Sequence, residues 1–199
     1  MSAPVLDPAA PAAGFRRRLL DGLAASIAER GYRETTVADI VRAARTSKRT
    51  FYDHFASKEE CFVELLTANN ADLVDEVRAA ADPKAPWAEQ VRAAVRAYVR
   101  FIEAQPAITL AWIRELPALG ESARPMLRLG FTRLTEMIVA LTGTPAFRRA
   151  GLEPLSASAA VILVGGLREL TAQTVENGEP VSAMVEPVVG VVLALLGRP

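Results

Sequence analysis

Residues 35–60 read TTVADIVRAARTSKRTFYDHFASKEE, and this stretch decides the fold. Thr36 precedes Val37, Ile40 and Val41, apolar residues at helical spacing, so it reads as the N-cap of a short helix over about 37–44. After Arg45 and Thr46, Ser47 caps another short helix over roughly 48–55. In that helix Phe51 and Phe55 share one face, while Lys48, Arg49, Thr50 and Tyr52 point away from it. Ser57, with Glu60 three residues later, forms a capping box that opens a long helix to about residue 80. Upstream, Phe15, Leu19, Leu23 and Ile27 recur every fourth residue, and Gly31 stands where a left-handed C-terminal cap belongs. A longer helix followed by two short ones around a tight turn is a helix-turn-helix.

The chemistry of the second short helix fits DNA. A recognition helix enters the major groove by its N-terminal end, so base-reading side chains belong in its first turn. Lys48 and Arg49 are long donors suited to guanine O6/N7, and Thr50 suits a thymine methyl. The helix starts at Thr36 and Ser57 offer free N–H groups to phosphates. Arg45, Thr46, Ser47, Tyr52, His54 and Lys58 complete the candidate contacts, with a half-buried structural role the competing reading for His54. The chain carries 23 Lys and Arg against 23 Asp and Glu, a balance that on its own argues against nucleic acid. Its distribution reverses that argument: residues 42–58 hold five basic side chains and one acidic one.

The segments GYRETTVADI at 31–40 and SKRTFYDHFASKEE at 47–60 resemble the tetracycline-repressor-like (TetR/AcrR) family, and the resemblance extends over about 14–66. It implies that three N-terminal helices bind palindromic double-stranded operator DNA as a homodimer. It also implies that a larger C-terminal helical domain binds a small-molecule effector that abolishes DNA binding. One departure stands out. The family's usual turn glycine is Arg45 here, which bears strain on the order of 1 kcal/mol if the turn needs positive φ.

The apolar period is helical throughout, so the expected fold class is all-α, with about nine helices. Residues 1–13, rich in alanine and proline, read as a disordered arm; 14–60 is the DNA-binding domain and 61–199 the ligand-binding and dimerisation domain. Further helices are expected near 86–104, 106–116, 122–142, 156–177 and 181–196, the last kinked at Pro187, with a short helical turn from Pro145. Phe101, Trp112, Met126 and Phe131 are candidates to line a ligand cavity, with Arg168 as the polar group that orients an apolar or amphipathic effector; plain core is the competing reading for each apolar side chain. Val161, Val164, Gly165, Val188, Val192 and Leu195 make the last two helices too apolar for a monomer surface and are the candidate dimer interface.

Other classes find little support. One cysteine and one histidine leave no disulfide framework and no zinc set, and Cys61 reads as packing rather than a redox sensor. No phosphate-cradling glycine loop, nucleophile–base pair or two-histidine motif supports an enzyme, and nothing calls for a cofactor. Neither a secretory leader nor a membrane span is legible, so the expected location is the cytoplasm. The expected function is a one-component transcriptional repressor released by its effector. The runners-up are a ligand-blind, architectural DNA-binding protein and, behind it, an enzyme using the helical cavity.

Overall fold

The computed structural model describes residues 9–197, with side chains from residue 14 onward. Among these residues there are ten α-helices and no strand. The chain divides into two compact units, Met1–Leu66 and Thr67–Pro199.

The first unit contains α1 (Ala9–Glu34), α2 (Val37–Ala43), α3 (Lys48–His54) and the start of α4 (Lys58–Ala80). Helix α1 begins inside the arm expected over 1–13, so residues 9–13 are helical rather than disordered; residues 1–8 lie outside the described residues. Leu19, Leu23 and Ile27 of α1 bury their side chains in a core with Ile40 of α2, Phe51 of α3 and Phe62 of α4. Gly22 is what lets α1 and α2 approach: a Cβ there would lie 2.7 Å from the Ile40 carbonyl oxygen and 3.0 Å from the Ala44 nitrogen. Gly31 takes φ +79° and lets the chain leave the regular helix.

The second unit holds the rest of α4 with α5 (Trp87–Ala104), α6 (Pro106–Leu110), α7 (Arg124–Thr142), α8 (Pro145–Arg149), α9 (Ala157–Glu176) and α10 (Val185–Leu196). Its core joins Val99 and Ile102 of α5, Phe147 of α8 and Val188, Val192 and Leu196 of α10. Two expectations need correction. The helix expected over 106–116 is α-helical only to Leu110; Ala111–Glu115 widens into a π-turn, and Leu116–Ala123 tightens into a 3-10 helix broken at Gly120, φ +69°. Pro187 kinks nothing, because the α-helix starts only at Val185 after a 3-10 turn over Val181–Met184. Proline then falls in the first turn, where its missing N–H has no partner to lose.

Candidate nucleic-acid interface and ligand cavity

Local capping sets the two short helices. The Thr36 side chain accepts the Asp39 N–H and donates its hydroxyl to Asp39 Oδ2 at 2.6 Å, while the Thr36 N–H reaches the same carboxylate at 3.0 Å. These bonds, with Arg42 and Arg30 alongside, hold the Asp39 carboxyl down to about 2. Ser47 accepts the Thr50 N–H at 3.1 Å and fixes the start of α3. At the next start, Ser57 accepts the Glu60 N–H, but the Glu60 carboxylate reaches back to the Ala56 N–H rather than to that of Ser57.

The turn between α2 and α3 passes through Arg45 at φ +50°, which makes it the single positive-φ non-glycine among the described residues. Arg18 holds this turn: its guanidinium donates to the Ala44 and Arg45 carbonyl oxygens, at 2.9 and 2.8 Å from Nη2. Arg16 fastens the far end of α3, donating to the His54 carbonyl at 2.8 Å, pairing with Glu64 and lying 4.4 Å from the centroid of the Phe55 ring. Sequence reasoning missed both arginines, because their partners lie more than twenty-five residues away.

With α3 pinned by buried Phe51 and Phe55, its other face is open. Lys48 and Arg49 are exposed, Tyr52 is 57% exposed, and Thr36, Arg45 and Ser47 also face solvent. Thr46, Thr50 and His54 are half-buried. Lys58 is committed elsewhere: its ammonium donates to the Tyr32 and Thr35 carbonyl oxygens at 3.1 and 2.8 Å and lies 4.2 Å from the Tyr32 ring centroid. It therefore closes the end of α1. Cys61 is fully buried, and desolvation pushes its thiol up to about 12, so it stays a protonated packing group.

In the second unit, Phe101, Trp112, Phe131 and Arg168 line one cavity, together with Asn69, Asn70 and Thr109. Met126 does not line it; that side chain is buried, and its sulfur accepts the Thr67 hydroxyl at 2.9 Å. The Trp112 indole reaches the cavity across Gly130, where any Cβ would come within 2.4 Å of the ring. A neighbouring cavity, lined by Val77, Val95, Leu163 and Val188 among others, shares the walls Tyr98, Met137, Ile138 and Leu167 with the first. Tyr98 Oη lies 2.8 Å from Thr171 Oγ1, and burial pushes its phenol up to about 12.

Three of the candidate interface residues turn inward. Val164 lines the cavity with Trp112, and Val188 and Val192 sit in the core and line its neighbour. All three are nearly fully buried within one chain, which leaves little of their surface for a second subunit. The exposed apolar side chains are instead Val161, Ile162 (74% exposed) and Leu170 on α9, with Val191 and Leu195 on α10. Gly165 adjoins that face, and a Cβ there would meet nothing. Among the described residues, no helix is long and apolar enough to cross a membrane, and no cluster of His, Cys, Asp and Glu has metal-binding geometry.

Comparison with known proteins matches this architecture. Residues 19–65 fit the model for bacterial regulatory proteins of the tetR family. The HTH-type transcriptional repressor KstR2 of Rhodococcus jostii (strain RHA1) is 41% identical over 78 residues, 39% of this chain and 38% of that one. The chain spans between 34% and 56% of the length of the first curated relatives it matches. The fold is similar over nearly the whole chain to the fatty acid degradation regulator FadR of Bacillus halodurans, with TM-score 0.73, 21% identity, and 96% of this chain and 97% of that one covered. It is similar also to FadR of Bacillus subtilis, solved in complex with stearoyl-CoA, with TM-score 0.74, 17% identity, and 88% and 96% covered. Taken together, the capped helix-turn-helix and the family model match residues 19–65 to the tetR family of bacterial regulatory proteins, and the all-helical fold is similar to that of the FadR structures over nearly the whole chain.

Proposed function

We propose that this transcriptional regulator is a repressor that binds palindromic operator DNA as a homodimer and is released by a small effector held in the helical unit. The observation that carries the reading is the open face of α3. Lys48 and Arg49 project from the first turn of a helix whose opposite face is locked by Phe51 and Phe55. A rigid helix presenting long donors at its N-terminal end suits direct readout of guanine in the major groove. Repression is the reading taken from the relative named a repressor, KstR2, over that of FasR, a relative named an activator. The FadR of Bacillus subtilis holds stearoyl-CoA, which supports an elongated effector for a cavity of mixed apolar and polar lining here.

Footprinting of the purified protein on the DNA upstream of its own coding region tests the reading. Protection of a palindrome with half-sites about 34–36 Å apart is the expected result. Arg49→Ala should lower specificity by about 1–3 kcal/mol at one base pair per half-site. An unchanged base preference would move readout away from this residue.

A further inference from the structure

Arg168 makes no salt bridge among the described residues. Its guanidinium is half-buried at the cavity wall, donates from Nη2 to the Ile113 carbonyl at 2.8 Å, and has a buried Nε with no hydrogen-bond partner. The adjacent carboxylate, Glu169, is taken by Arg114, which also holds Glu176. Arg114 thus engages that carboxylate and adds a second positive charge nearby; burial first and then that charge work against the Arg168 cation, and Glu169 offsets them only in part. A half-buried guanidinium with a free donor, on the wall of a cavity, favours an anionic oxygen.

Asn70 adds a second unmet group. It is 4% exposed, lines the same cavity, and its Oδ1 has no partner. As an acceptor it gains nothing from a carboxylate and gains from a hydroxyl or N–H on the ligand. The two groups converge on one turn of α7: Asn70 lies against Gly130, and the Arg168 guanidinium lies 5.8 Å from the ring centroid of Phe131. Beyond them, the neighbouring cavity past Tyr98, Met137 and Leu167 has an almost wholly apolar lining. The two cavities have volumes of about 70 and 100 Å³. At ~10–15 Å³ per water-sized group, the pair takes on the order of ten such groups.

We propose that the two cavities form one path for a medium-chain hydroxy acid, its carboxylate on Arg168, its hydroxyl on Asn70 and its alkyl tail running past Tyr98 into the apolar cavity. The proposal rests on reading the helical unit as the effector-binding unit and names the class of effector. Calorimetric titration of the full chain with 3-hydroxydecanoate, decanoate and 1-decanol tests it. Decanoate should bind about tenfold more tightly than decanol, and the hydroxy acid more tightly still. Arg168→Met should erase the preference for acid over alcohol while decanol binding persists, and Asn70→Leu should erase only the advantage of the hydroxyl. Folding of each variant is checked by its circular-dichroism melt. Ala94→Phe, at the wall of the apolar cavity, should shorten the longest acid accepted without changing the preference for acid over alcohol.

Absence of acid binding, equal affinity for decanoate and decanol, or an acid preference that survives Arg168→Met overturns the proposal. So does an unaltered chain-length limit in Ala94→Phe, or binding of decanoyl-coenzyme A with an affinity indifferent to Arg168, which would put the anion outside the cavity. Operator release is measured separately. Acid binding as expected without release defeats the regulatory reading and leaves this inference standing. A compound that releases DNA yet ignores both Arg168 and Asn70 does the reverse.

Discussion

At the scale of single residues, Arg45 and Asp39 carry opposite kinds of information. Arg45 occupies φ +50°, where a Cβ is unfavourable, and its carbonyl is held by Arg18. Arg45→Gly should therefore stabilise the protein by about 1 kcal/mol in calorimetric melting. If the exposed guanidinium also neutralises a phosphate, the same variant should bind operator more weakly and show a salt slope smaller by about one. A variant that is more stable but binds DNA unchanged would make the arginine a passive departure from the family's glycine. Asp39 works through pH. Its carboxyl is held at about 2 against an ordinary 3.8, by the Thr36 hydroxyl first, then by the Thr36 N–H and the arginines. A depressed folded-state pKa contributes stability that is complete above the unfolded value and is lost as pH falls through the folded one. Asp39→Ala should thus lower the urea midpoint at pH 6, with the gap to the parent shrinking between about pH 4 and pH 2. A gap independent of pH would show that the capping geometry matters and the charge does not.

At the scale of elements, the helices capped by local signals were the legible ones. Thr36 and Ser47 each take the N–H three residues on, contacts a sequence window contains, and α2 and α3 begin where those caps predict. The wall residues Phe101, Trp112, Phe131 and Arg168 were legible as aromatic or charged interruptions of apolar helices. What failed was the facing of α9 and α10. Both are so uniformly apolar that periodicity cannot tell an inner stripe from an outer one, and Val164, Val188 and Val192 were assigned to the wrong side. Lys58 reads as a phosphate ligand in the sequence for a different reason: its partners on Tyr32 and Thr35 are distant in sequence. The π-turn carrying Trp112 left no sequence mark beyond Pro117 just after it. The corrected faces sharpen a prediction about assembly. Gly165→Leu adds a side chain into space that is open within one chain, so the monomer fold should tolerate it. Sedimentation of this variant, and of Ile162→Glu, should give monomers with unchanged helical content. Intact dimers in both would move the proposed interface away from α9.

At the scale of the whole molecule, α4 is, among the described residues, the helix whose residues belong to both units: Lys58–Leu66 lie in the first, with Cys61 and Phe62 in its core, and Thr67–Ala80 in the second, with Asn70 at the cavity wall and Val74 and Val77 in a buried cluster. The proposed effector, in touching Asn70, would touch the same helix whose first turns Arg16, through Glu64, ties to the end of α3. Such a link gives regulation only if the ligand distinguishes two arrangements of the protein; one with equal affinity for both shifts nothing, however tightly it binds. In the proposed homodimer, DNA would select the arrangement whose two α3 helices match successive major-groove turns, about 34–36 Å apart. If the effector prefers another separation, each ligand must weaken the other by the same factor, typically 5–150-fold, or about 1–3 kcal/mol. Calorimetry with 3-hydroxydecanoate on the free protein and on its operator complex should give a weaker affinity on the complex. Operator titrations with and without saturating acid should return the same ratio. Equal affinities in both pairs of titrations would leave a DNA-binding protein whose ligand does not regulate it, while unequal ratios would mean that a third linked process, such as dimer dissociation, carries part of the coupling.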